Sequence, residues 1–179
     1  MKKKNILLLM IMFVMTACSS SRLDVEGAKQ TVDTFLSRYH LKDASCAEFL
    51  LGNGEDSFFS FDGISEYFAS ELKYEIKSVT TEDDMCIVKV DIENIDFKDS
   101  IEKSYEEAVN LYGEEYASLY IKDMFIDYIE SNKMKRVQNT YEVVVRYIND
   151  EWKIEMDLNL SDALTGGMNT YIGSLKGGE

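Results

Sequence analysis

The stretch ELKYEIKSVTTEDDMCIVKVDIENIDF, Glu71–Phe97, decides the class of the fold, because its apolar residues recur every second position on both sides of an acidic break. Leu72, Tyr74, Ile76 and Ser78 alternate with charged or polar neighbours, Glu82-Asp83-Asp84 forms a turn, and Cys86, Val88, Val90 and Ile92 alternate again. Period-two alternation of this kind predicts a β-hairpin with one apolar and one wet face. The period returns in TYEVVVRYINDEWKIEMD, Thr140–Asp157, and its upstream flank, through Val137, Asn139, Tyr141, Val143, Val145 and Tyr147. Asn149-Asp150 is a tight turn, and Trp152, Ile154, Met156 and Leu158 complete a second hairpin.

Outward from these hairpins the period becomes helical. Val25, Ala28, Val32, Phe35, Leu36 and Tyr39 form one stripe along residues 25–41, an amphipathic helix. Asp43 caps a short second helix holding Ala44, Ala47, Phe49, Leu50 and Leu51, which Gly52-Asn53-Gly54 stops, and Asp62 is placed to cap a third over residues 64–72. Between the hairpins, Ile101, Tyr105, Ala108, Tyr112, Tyr116, Tyr120, Met124 and Tyr128 repeat every three or four residues, so residues 100–135 read as a helical insertion with a break at Gly113. Gly166-Gly167 and Gly177-Gly178 predict a loosely ordered tail over residues 161–179. The order of helices, hairpin, helical insertion and hairpin predicts one α+β domain over residues 25–160, with helices packed on one face of a curved antiparallel sheet.

The strand-turn-strand ending in Asn94-Ile95-Asp96, with the later turn leading into Trp152-Lys153-Ile154, resembles the cystatin-like or NTF2-like domains of small lipoproteins from low-GC Gram-positive bacteria. The resemblance implies a helix lying across the sheet to form a cone. Such a cone holds a small ligand in some members, and in others an isomerase or dehydratase site built from a buried carboxylate and tyrosine donors. The insertion over residues 100–135 departs from that pattern and lies where the mouth of a cone would be.

The N-terminus carries Lys2, Lys3 and Lys4, then an apolar run over residues 6–15 (ILLLMIMFVM), then Thr16, Ala17 and Cys18. These are the three regions of a secretion signal, and the run is too short for a membrane span, which needs roughly 20 residues. Met15-Thr16-Ala17-Cys18 resembles the bacterial lipobox, with Met in place of the usual Leu; the alternative is an ordinary secretory leader. The resemblance implies cleavage between Ala17 and Cys18, diacylglycerol on the Cys18 sulfur, and a protein anchored in the cell membrane on its extracytoplasmic face. Residues 18–24 then form a polar tether spanning no more than about 25 Å.

The whole chain has 179 residues with 19 basic and 33 acidic side chains. Lys2, Lys3 and Lys4 belong to the leader, which leaves 16 basic residues against 33 acidic ones, a net charge near −17. Nucleic-acid phosphates repel such a surface, which excludes nucleic acid as a partner. His40 is the one histidine, so a metal site built on several imidazoles is ruled out; it reads as a structural or exposed residue. Asp91–Asp96 lacks the alternating oxygen ligands of a calcium loop, since Ile95 takes the fifth place, and reads as a strand end.

No residue pattern calls for a cofactor or spells a catalytic cluster. The tyrosines of the insertion, chiefly Tyr112, Tyr116 and Tyr120, together with Trp152, are the ligand-binding candidates, since a ring with a polar tip suits a half-wet groove or a partner surface. The plain alternative is that these rings cover the sheet. Cys46 and Cys86 either form a disulfide, which an extracellular location permits, or pack as small hydrophobes. Together these features lead to an expected non-enzymatic module that binds a small apolar ligand or a protein of the cell envelope. The rival is an NTF2-like isomerase or dehydratase.

Overall fold

A computed structural model describes residues 24–52, 59, 61, 63–82 and 84–176. The expected leader, the expected cleavage site at Ala17 and Cys18, and the expected Asp62 cap lie outside them. The elements are α1 (Val25–His40), a 3₁₀ turn (Ala44–Phe49), α2 (Ile64–Glu71), β1 (Lys73–Glu82), β2 (Met85–Ile95), α3 (Phe97–Tyr112), α4 (Glu114–Glu130), β3 (Arg136–Ile148), β4 (Glu151–Ile154), α5 (Leu158–Leu164) and α6 (Met168–Lys176). The fold is α+β, and the four strands form one antiparallel meander in the order β1-β2-β3-β4.

Register follows the alternation read from the sequence. Val88 faces Val143, Cys86 faces Val145, and Val145 in turn faces Ile154, so the apolar sets of three strands fall on one face. Strand β1 keeps its apolar side chains on that face by a bulge between Ile76 and Ser78, which hands the position expected for Ser78 to Val79. At Asn149-Asp150 both residues have positive φ, 52° and 64°, the conformation whose twist matches that of a hairpin. Strand β4 ends at Ile154, short of the expected run; Leu158, expected inward, begins α5 and is 77% exposed.

Helix α1 starts where the Asp24 carboxylate accepts the Gly27 N–H at 3.1 Å. Its stripe of Ala28, Val32, Phe35, Leu36 and Tyr39 is buried and joins Val88, Val90, Val143 and Ile154 in the main core. Burial of each large side chain contributes roughly 1.5–3 kcal/mol. The opposite sheet face stays wet and carries a ladder of ion pairs, Lys73–Glu93 at 3.0 Å, Lys77–Asp91 at 3.1 Å and Lys89–Glu142 at 3.0 Å. Exposed pairs of this kind add little stability, and their effect is to keep the face solvated.

Residues 161–176 correct the expectation of a loose tail, while Gly177-Gly178 lie outside the described residues. Helix α5 ends in a Schellman motif: Gly166 has φ of 62°, and the Gly167 N–H donates to the Asp162 carbonyl at 2.9 Å. Gly166 is obligatory, because a Cβ there would sit 1.8 Å from the Ile95 carbonyl oxygen. Its own carbonyl accepts the Phe97 N–H at 3.0 Å, joining the turn to the start of α3. The Leu164 carbonyl accepts from the Tyr39 hydroxyl at 3.0 Å and from Asn94 Nδ2 at 2.9 Å. Buried Asn94 also accepts the Ile95 N–H at 2.8 Å. These bonds tie α1, β2 and α5 together inside the core, where an unpaired polar group would be costly.

Candidate functional site

The ladder between β2 and β3 runs unbroken from Met85↔Arg146 to Ile95↔Arg136. Residues 96–135 therefore leave and re-enter at one end of the sheet, as the helical hairpin α3–α4 turned by Gly113 at φ of 82°. Its base is a second core in which Phe97 meets Phe68, Phe125 and Tyr171 at ring-centroid distances of 6.1, 5.9 and 5.7 Å. Arg136 braces the same end, pairing with the Glu71 carboxylate at 2.8 Å and with Glu93.

Toward the tip the seam between the two helices narrows to small side chains. Ala108 and Ala117 are fully buried with Met124 beside them, so the helices approach closely and no room remains inside for an aromatic ring. The large residues are turned outward instead: Leu119 is 71% exposed, Leu111 60% and Tyr116 51%. Tyr112 and Tyr120 stack on each other, with centroids 4.0 Å apart and planes 19° apart. Tyr128 has a different role near the base, where its hydroxyl donates to Asp99 at 3.2 Å.

The tyrosines therefore do not cover the sheet, and Trp152 does not join them. It lies across the ladder from Tyr147, with ring centroids 5.2 Å apart, near the β3–β4 turn at the other end of the sheet. Tyr112 and Tyr120 form an exposed stacked pair, Tyr116 is exposed on the same helix as Tyr120, and Trp152 belongs to another region. The sequence reading overlooked Leu111 and Leu119. The signal was present in the alanines at 108 and 117, which fix the seam and force neighbouring large residues outside.

The buried polar side chains are Asn94, Ser100, Ser104 and Thr165, and no Asp or Glu is buried among the described residues. Asp43, Asp91, Glu93, Asp99 and Glu151 are held below the ordinary carboxylate range, chiefly by hydrogen bonds from Ser45, Thr140, Lys73, Lys135 and Lys153 respectively. A general acid needs the opposite shift. The sheet face that would line a cone is filled by α1 and α5. Among the described residues no group of three or more His, Cys, Asp or Glu is arranged to hold a metal ion. His40 bridges helices, its Nδ1 3.2 Å from the Ala69 carbonyl oxygen.

Cys46 and Cys86 are both free and buried, which removes the disulfide alternative. Cys46 lies on the 3₁₀ turn that follows α1, and Cys86 lies on β2 opposite Val145. Burial first, and Asp43 second, push the Cys46 thiol up to about 12. Both pack as small inert hydrophobes.

An open apolar groove of about 430 Å³ runs between α3, α4 and α6, lined by Ile101, Tyr105, Ile121, Tyr171 and Leu175 with Glu102 and Glu106 at its rim. Among the described residues no helix is long and apolar enough to cross a membrane.

No protein-family model matches the chain, and no curated protein matches it. It is similar to the crystal structure of a Bacillus subtilis protein described as a lipoprotein (ycdA), at 19% identity and a TM-score of 0.39. The match covers 73% of this chain and 44% of that one, so the chain spans less than half the length of that protein. A likeness of this size carries no argument about family or activity.

Proposed function

We propose that the chain is an extracytoplasmic lipoprotein, held in the membrane by acyl groups on Cys18, whose α+β domain is a non-enzymatic module for binding a protein of the cell envelope. The observation that carries this reading is Met15-Thr16-Ala17-Cys18 placed directly after three lysines and a ten-residue apolar run. Stable anchoring takes two acyl signals, and a diacylglyceryl cysteine supplies both. The filled sheet face and the exposed apolar tip of α3–α4 favour a protein partner, because the recognition surface they leave lies on the outside of the domain.

In this reading the domain is of the cystatin-like or NTF2-like kind, with α1 lying across the sheet and the helical hairpin as its own addition. The groove of about 430 Å³ beside Tyr105 favours a second reading, a small apolar ligand held between α3, α4 and α6.

Fractionation with metabolic labelling tests the anchor. Wild type is expected in the membrane fraction with incorporated palmitate, and Cys18→Ala in the soluble or secreted fraction without it. A Cys18→Ala protein that fractionates and labels like wild type contradicts the proposal.

A further inference from the structure

The apolar tip of α3–α4 has a polarity that selects its partner. From Ser104 to Ile121 the hairpin contains Glu106, Glu107, Glu114 and Glu115 and no lysine or arginine. All four carboxylates are exposed, alongside Leu111 and Leu119. Tip and Asp24, the first described residue, also lie at opposite ends of the sheet. The Asp24 carboxylate and the Trp152 indole flank Gly27, and Trp152 pairs with Tyr147 beside the start of β2, whereas α3 leaves from the far end of β2 at Ile95. The eleven residues of β2 separate these ends by about 33 Å.

We infer that the hairpin tip is a docking surface for a cationic amphipathic polypeptide, one that sets an apolar stripe on Leu111, Tyr116 and Leu119 and places lysine or arginine against Glu106, Glu107, Glu114 and Glu115. This rests on the proposed binding role and names the partner class and the surface. Charge complementarity separates this occupant from the others. A second copy would bring four carboxylates against four, offset only by the Lys103 that pairs with Glu106 at 2.8 Å in each copy, and an anionic lipid surface would repel them. A basic partner gains the steering field of the acidic tip during approach and the burial of exposed leucine on contact.

The test uses the chain from residue 18 onward with Cys18→Ser, which keeps every residue of the described fold, and a fluorescent Leu/Lys amphipathic helical peptide as the probe. Binding that weakens with salt is expected. Glu114→Lys with Glu115→Lys should weaken it by about tenfold or more, and Leu111→Ser with Leu119→Ser by a similar factor. Glu26→Lys with Glu82→Lys, the same change of net charge away from the tip, should leave it nearly unchanged. Equal loss in both charge variants means attraction to bulk charge and overturns the inference, as does the absence of binding. Self-association lost in the tip variants, or tip-dependent binding to phosphatidylglycerol vesicles, replaces the inferred partner with a second copy or a membrane and also overturns it. None of these outcomes alters the Cys18 fractionation result, so failure here is separable from failure of the anchoring proposal.

Discussion

The main core and the hairpin tip use the same kinds of residue to opposite ends. Under α1, Phe35, Leu36, Val88 and Ile154 are sealed from water and share one packed cluster. At the tip of α3–α4, Leu111, Leu119 and Tyr116 stand in solvent around a seam closed by alanine. Hydrophobic side chains in the first region stabilise the fold. Those in the second are not buried by it, so a stability argument does not account for them. Large residues should therefore be costly to remove beneath α1 and nearly free to remove at the tip, whereas partner binding should show the reverse.

The largest expected effect is Phe35→Ala, a cavity in the main core, at about 3–5 kcal/mol of unfolding free energy by urea denaturation. A loss below about 1 kcal/mol would show that α1 is only loosely seated. Gly166→Ala follows at roughly 3 kcal/mol, because it combines positive φ with a collision against the Ile95 carbonyl. That variant also tests whether α5 and α6 belong to the core region. Asn94→Ala should cost about 1–2 kcal/mol, since it removes a donor to Leu164 and the acceptor of the Ile95 N–H.

Alkaline pH probes the same region. Burial pushes the Tyr39 hydroxyl well above its ordinary range and, with the Asp33 carboxylate, pushes Tyr74 up to about 12. Below pH of about 10 both phenols are neutral folded or unfolded. Above it the unfolded chain releases protons that the fold retains, so stability should fall as pH rises. Tyr39→Phe should flatten that decline in denaturation midpoints measured between about pH 9 and pH 11. The smallest effect belongs to the tip: Leu111→Ser with Leu119→Ser should change unfolding free energy by no more than about 0.5 kcal/mol. A loss of several kcal/mol would place those leucines in the fold's own packing and dissolve the contrast.

Much of the architecture was legible in the sequence because one-sided burial leaves a period. The alternation through Cys86–Ile92 and Val143–Val145 gave strands, faces and register together, and Asn149-Asp150 marked its own turn. Gly166-Gly167 was misread as looseness, although Ala163-Leu164-Thr165-Gly166-Gly167 is a helix end with glycine at the left-handed position. Its partner, the Ile95 carbonyl, is remote in sequence, which is why the close approach could not be read there. The tyrosine stripe gave the helices of the insertion correctly but not their direction. Facing depends on which residues close the seam, and Ala108 and Ala117 settle that only once the helices are paired. Trp152 was grouped with those tyrosines by residue type alone, and strand register places it beside Tyr147 instead.

The most direct test of the account is site-specific photocrosslinking in intact cells, with benzoylphenylalanine placed at position 119 on the hairpin tip or at position 147 on β3. The account predicts a discrete adduct with one basic envelope protein from position 119 and none from position 147, lost when Glu114→Lys and Glu115→Lys are added. Equal adducts from both positions, or adducts from position 147 alone, would contradict it.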